Sequence, residues 1–170
     1  MSSAVRMKIQ LRRSEDAKGL PYPAYATAGS SGLDLCACNR DPIRLEPGKI
    51  SLIPTGISLA LPAGYEAQVR ARSGLALKHG LTLVNAPGTI DSDYRGEIGV
   101  IATILSSEPF IVERGMRIAQ LVVAPVSHVE LCETKSLDDT LRGAGGFGHT
   151  GLNEAEAQQS EAEAQHKAPG

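Results

Sequence analysis

The residues best suited to chemistry gather in three short stretches. The first, Asn85-Ala-Pro-Gly-Thr-Ile-Asp-Ser-Asp-Tyr-Arg-Gly-Glu, brings the acids Asp91 and Asp93, one of only four tyrosines (Tyr94) and the donor-acceptor amide of Asn85 into a turn-rich segment. An aspartate held on such a loop can serve as a general base, and Asp91 follows apolar Ile90, which should shelter it in part. Asp91, Asp93 and Gly96 also begin like a calcium loop, but Arg95 stands where a further acid is needed and Ala102 where the closing Glu belongs. The second stretch, Arg72-Ser-Gly-Leu-Ala, joins a guanidinium fork to Ser73 and to Gly74, where a ligand can approach the backbone closely, as a phosphate cradle requires. A plain serine cap is the commoner use of such a serine. The third, Arg142-Gly-Ala-Gly-Gly-Phe-Gly-His-Thr-Gly, sets Phe147 among glycines with Arg142 on one side and Thr150 on the other. That is an aromatic face and polar donors on a segment able to fold over a ligand. Its Gly143-x-Gly145-x-x-Gly148 spacing is not a dinucleotide loop, because no strong strand precedes it and no helix follows.

Strands must position these groups. Leu81 to Val84 leads into the first stretch and Ile98 to Leu105 leads out, which predicts a β-hairpin turned at Pro87-Gly88 and at Asp91-Ser-Asp93. Val5, Met7, Ile9 and Leu11 alternate with polar residues as a half-buried strand does. Short alternating runs follow at 50–54, 57–61, 67–71, 110–112 and 118–126, cut by Glu46-Pro-Gly-Lys, Pro54-Thr-Gly, Pro62-Ala-Gly and Arg114-Gly. Turns about every 8–12 residues are the grammar of an all-β sandwich or barrel. The single helical candidate lies within Ser73 to His79, with Ser73 as its expected cap and Gly80 as its stop. Leu33 and Leu35 face one side of a strand and Asp34 the other, where a lone acid is usually solvated; Gln120 would ordinarily be an exposed strand residue.

With 170 residues the chain suits one compact domain and a tail. The domain is expected over 1–151, including a Gly-rich arm from about 137, and residues 152–170, rich in Glu, Ala and Gln without an aromatic, form an expected disordered tail. A net charge of −2 gives no basic face for polymeric DNA or RNA. Three cysteines, Cys36, Cys38 and Cys132, read as reduced packing residues, and the four histidines lack metal spacing. No stretch approaches the roughly 20 apolar residues of a membrane span, and the amino terminus lacks a signal-peptide core; a cytoplasmic protein with no membrane partner is expected.

Five segments taken in order resemble the motifs of the trimeric deoxyuridine triphosphate nucleotidohydrolases (dUTPases): Ala28-Gly-Ser-Ser-Gly-Leu-Asp-Leu, Arg72-Ser-Gly-Leu-Ala, Gly88-Thr-Ile-Asp-Ser-Asp-Tyr-Arg-Gly-Glu, Gly115-Met-Arg-Ile-Ala-Gln-Leu and Arg142-Gly-Ala-Gly-Gly-Phe-Gly. The likeness runs from about Met7 to Gly151. It implies a jelly-roll-like β-barrel or sandwich (β-clip) with one short helix, a homotrimer with shared sites, and Mg²⁺-dependent hydrolysis of dUTP to dUMP and pyrophosphate, which supplies the dTTP precursor and keeps uracil out of DNA. By motif match Asp91 activates the attacking water. Asn85 and the backbone around Gly88 and Thr89 read uracil, while Tyr94 packs under the deoxyribose. Arg72, Ser73, Gly74 and Gln120 bind phosphates, and Asp34 supports the metal indirectly through water. From a neighbouring subunit's arm, Phe147 stacks on the base and Arg142, with Gly148 beside it, reaches the γ-phosphate. His149 departs from the small hydroxyl residue of many members, which affects the γ-phosphate contacts. A dCTP deaminase of the same superfamily would need a Glu about ten residues after Asp91, where this chain has Ile101.

Overall fold

The computed structural model describes residues 7–140 and 142–146. The chain divides after Val129, ahead of the expected start of the arm, into a β body and a separate unit that begins at Glu130. In the body the strands are β1 (Gln10–Arg13), β2 (Ala24–Tyr25), β3 (Leu33–Cys36), β4 (Ile43–Leu45), β5 (Ser51–Pro54), β6 (Ile57–Ala60), β7 (Tyr65–Ala71), β8 (Leu81–Leu83), β9 (Gly88–Ile90), β10 (Gly99–Ile104), β11 (Phe110–Val112) and β12 (Arg117–Pro125). They pair antiparallel in four small sheets, ordered β1-β6, β5-β10-β8, β11-β4 and β2-β3-β12-β7-β9.

Alternation sets the inside. In β10, Val100, Ala102 and Ile104 are buried while Gly99, Ile101 and Thr103 are half-buried on the other side. With Leu35, Leu45, Ile53, Leu81, Ile98, Ile118 and Leu121 they form one aliphatic core, and each fully buried Leu or Ile contributes about 1.5–3 kcal/mol. The expected strand at the amino terminus holds its period at Ile9 and Leu11, although regular pairing starts only at Gln10; Val5 lies outside the described residues.

The helix α1 (Ser73–His79) differs from expectation at its start. Its cap is Arg72, in extended backbone, and Ser73 is the first helical residue with no side-chain capping bond. The stop is as expected: Gly80 takes φ 66°, its N–H bonds the Ala76 carbonyl, and a Cβ there would lie 2.6 Å from the Ser106 nitrogen. Lys78 and His79 fill the last turn, where cations suit the helix dipole.

The expected hairpin is only half present. β8 and β10 do pair, Leu83 opposite Ala102 and Leu81 opposite Ile104. Between them, however, Gly88 is not a turn residue: it opens β9, which leaves this sheet to pair with β7. Once the chain crosses to a second sheet, the acidic segment that follows is anchored by β7 rather than by a hairpin of its own.

Candidate functional site

Three strands of the five-stranded sheet set the first half of the site. Asp34 on β3 stands opposite Gln120 on β12, and Gln120 stands opposite Arg70 on β7. β7 then runs directly into Arg72 and α1, so the cross-strand row ends beside the helix start. Together with the 26–32 loop these elements enclose a pocket of about 530 Å³ that brings Asp34, Arg72, Ser73, Gly74 and Gln120 to one surface.

The charges there are arranged, not scattered. Asp34 is not solvated as a lone strand acid would be: its side chain is only 18% exposed, with Oδ1 3.1 Å from Arg72 Nε and Oδ2 3.4 Å from Arg117 Nη1. Arg72 Nη1 also donates to the Arg117 carbonyl at 3.0 Å. One carboxylate thus orients two guanidiniums, and the trio keeps a net positive charge beside the pocket, which suits anionic oxygens. Gln120 is half-buried, its Nε2 donating to the Ala71 carbonyl at 3.1 Å. Gly32 makes room for it, since a Cβ at 32 would fall 2.7 Å from Gln120 Oε1 and 3.2 Å from its Cβ. Beside this group, burial and then the Asp34 charge push the Cys36 thiol up, so it stays protonated and inert. Cys38 is buried as expected for packing, whereas Cys132 is exposed.

The second half is the loop from Asn85 to Glu97. Asn85 covers buried Gly88, where a Cβ would meet its Nδ2 at 3.1 Å. Asp91 is exposed rather than sheltered by Ile90, and its carbonyl accepts the Tyr94 N–H at 3.2 Å. Tyr94 is 43% exposed and donates its hydroxyl to the Glu97 carbonyl at 2.9 Å. Asn85, Gly88, Thr89, Asp91 and Tyr94 are therefore neighbours along one loop.

The two halves do not meet in one chain. Ile90 pairs with Ala67 near the start of β7, whereas Arg72 follows its other end. Asp91 lies one step further from Arg72 than Ile90 does, so at ~3.3 Å per residue roughly 20 Å separate the two along the sheet.

Of the arm, Arg142 is exposed, its Nε bonding the Gly145 carbonyl at 2.8 Å, and the Gly143 N–H meets the Thr140 carbonyl and hydroxyl at 3.0 Å each. Phe147, Gly148 and His149 lie outside the described residues.

Sequence reasoning missed Arg117, Ser30, Ser31, Lys78 and His79, all at this pocket or its charge cluster. Arg117 was hidden because β12 shifts register between Arg117 and Ala119, so simple alternation misplaces it. Ser30 and Ser31 lie inside the first motif, and Lys78 and His79 lie four residues beyond Gly74 and Leu75 respectively, one helical turn on along the same face.

Among the described residues no three of His, Cys, Asp and Glu converge as a metal cage. Asp34 keeps carboxylate lone pairs beyond its two arginine contacts, and no described helix is long and apolar enough to cross a membrane.

The dUTPase family profile matches residues 18–151. The deoxyuridine 5'-triphosphate nucleotidohydrolase of Beijerinckia indica subsp. indica is 58% identical over 146 residues, covering 85% of this chain and 91% of that protein. That of Rickettsia felis is 52% identical over 145 residues, covering 85% and 97%. Among solved structures, the Staphylococcus bacteriophage 80alpha dUTPase with dUPNHPP is 25% identical, covers 85% of this chain and 99% of its own, and superposes with a TM-score of 0.71. The dUTPase of S. aureus phage phi11, in a structure showing coordination of a structural Mg(II) ion, is 21% identical with a TM-score of 0.69, covering 78% and 100%.

Proposed function

Because the chain belongs to the dUTPase family, we propose that it hydrolyses dUTP to dUMP and pyrophosphate in a site shared between subunits of a homotrimer. The observation that carries this reading is the division of labour within one chain: a cationic pocket for phosphate oxygens at one end of β7 and a loop bearing an exposed aspartate and a tyrosine at the other. Only a second copy can bring the two together, and closed cyclic symmetry does so at each interface alike.

In the assembled site Asp91 takes a proton from water as the water oxygen bonds the α-phosphorus. The bond from that phosphorus to the bridging oxygen breaks, and pyrophosphate leaves. Arg72, Ser73, Gly74 and Gln120 bind the phosphate chain, with Arg72 held in aim by Asp34. Charge developing on the leaving oxygens meets fixed donors, which is where such arrangements contribute most to rate. Asn85 and the Gly88–Thr89 backbone read the base, and Tyr94 closes the space a 2′-hydroxyl would occupy. Arg142, Phe147 and Gly148 complete the site from a neighbouring subunit's arm, with His149 altering the contacts at the γ-phosphate.

Asp34, whose carboxylate keeps lone pairs beyond its two arginine contacts, fits Mg²⁺ in the form it usually takes at phosphates, held by substrate oxygens and water. Asp34 would hold its water shell, and the ion would supply charge neutralisation on the triphosphate. The deaminase alternative has no support at its diagnostic position, since Ile101 is a half-buried β10 residue paired with Leu52.

The test is pyrophosphate release from dUTP, dCTP, UTP and dTTP. Turnover of dUTP alone is expected. Ammonia release from dCTP, or equal specificity constants for UTP and dUTP, would overturn the assignment.

A further inference from the structure

Tyr94 is fixed by its neighbours rather than by burial. Its ring lies on Gly96, where an added Cβ would fall 2.3 Å from the phenol oxygen and 2.5 Å from Cζ. Its hydroxyl donates to the main-chain carbonyl of Glu97 at 2.9 Å. The tyrosine is therefore held only as firmly as residue 97 is.

The side chain of residue 97 makes an anchor of its own. Glu97 Oε1 accepts the Gly56 N–H at 2.9 Å, a charge-assisted bond spanning 41 positions in sequence. Gly56 in turn cannot give. It sits at φ +67° with Ala17 Cβ, Cys38 Sγ and Ser14 Oγ all within 2.8 Å of where a side chain would start, and its carbonyl accepts the Ser14 N–H at 2.9 Å. Further bonds, Thr55 Oγ1 to the Ile98 carbonyl at 2.6 Å and the Ile98 N–H to Ile57 at 2.8 Å, fix the peptide that follows. That peptide carries the Glu97 carbonyl that receives the phenol, since this C=O and the Ile98 N–H lie in one plane; the Glu97 carboxylate adds a second restraint from the loop side, at the residue's own Cα.

We propose that Glu97 is a positioning residue for sugar selection: by tying the end of the loop to Gly56 it sets the place of the Tyr94 ring. This rests on the reading of Tyr94 as the wall against a 2′-hydroxyl. A displaced wall admits a ribose before it impairs the reacting phosphate, so the loss appears in discrimination ahead of turnover.

The experiment compares Glu97→Ala and Glu97→Gln in the full chain, with Tyr94→Ala as the reference. The ratio of kcat/KM for dUTP over UTP should fall on the order of tenfold in Glu97→Ala, with kcat for dUTP falling less. Gln keeps an oxygen acceptor and should hold the ratio within about twofold. In parallel, protein labelled with 3-fluorotyrosine gives a ¹⁹F line for Tyr94, assigned by its loss in Tyr94→Phe; Glu97→Ala should shift and broaden that line and Glu97→Gln should not. An unchanged fluorine line in Glu97→Ala overturns the clamp, even where the ratio falls, because Glu97 then does not act through Tyr94. If Tyr94→Ala itself keeps full discrimination, the wall reading of Tyr94 fails instead, and the fluorine line still decides whether Glu97 holds the ring.

Discussion

The pocket at the α1 end of β7 and the loop beyond β9 are organised by opposite means. The pocket is made of side chains that bind one another: Asp34 bridges Arg72 and Arg117, and Gln120 is tied to Ala71. The loop leaves its chemical group free. Asp91 is exposed, with order around it supplied by backbone and by Tyr94 on Glu97. The difference fits the role proposed for each group. Cations that receive a polyanion gain from being aimed in advance, because ordering long side chains during binding costs free energy. A base that must accept a proton is better left without a partner that would compete for its lone pairs.

The largest effect should come from the free group. Asp91→Asn is expected to lower turnover by about 10²–10⁴-fold while leaving trimer assembly and the binding of a non-hydrolysable dUTP analogue unchanged. Near-normal pyrophosphate release would remove Asp91 from the role of base. The arm comes next. A chain ending at Thr140 should remain folded with severely reduced turnover, whereas one ending at Gly151 should keep activity close to that of the full chain; equal rates in the two would reduce the arm to a linker.

Mixing sharpens the comparison, since each region can be broken in a different chain. Arg72→Ala and Asp91→Asn should each be nearly inactive alone. Unfolded and refolded together in equal amounts, they should recover about a quarter of wild-type turnover if each site takes its pocket and its base from different copies at random. No recovery would place both halves of a site in the same chain. The smallest effect belongs to the prearranged group. Asp34→Asn removes the bridge between two arginines and should cost about 1 kcal/mol of stability, a fall in Tm of about 2–4 °C for a chain of this size, together with weaker binding of the nucleotide analogue. An unchanged Tm and affinity would show that the arginines are aimed without it.

Much of this was legible in the sequence, for identifiable reasons. Strand period and turn residues gave β5, β6, β7, β11 and β12 closely, because each run is short, alternates, and is bounded by Pro-Gly or an equivalent turn. Gly80 as the helix stop was legible because few other residues adopt its backbone angle. What escaped was non-local. β9 reads as part of a turn until its partner in β7 is known, and Asp34 reads as a solvated acid until β12 and the helix cap bring two arginines to it. The helix cap itself was displaced by one residue, since Arg72 takes the extended backbone of the cap while also serving the ion pair. Alternation carries no information about which strand lies opposite, and the irregularity at Arg117 breaks even the local count.

Gly32 and Gln120 stand far apart in the chain, yet their histories are bound together. A β-carbon at 32 would press on the Gln120 side chain from its amide oxygen back to its own β-carbon. The amide end could swing aside, but the root of the side chain moves only with the strand. A side chain at position 32 is therefore resisted whatever side chain position 120 carries, and most strongly by a long one. Trimming position 120 first would ease that resistance only by surrendering the bond to Ala71 that holds the pocket's edge. Gln120 thus guards Gly32 against replacement, and a side chain at 32 would have to be matched by a change at 120.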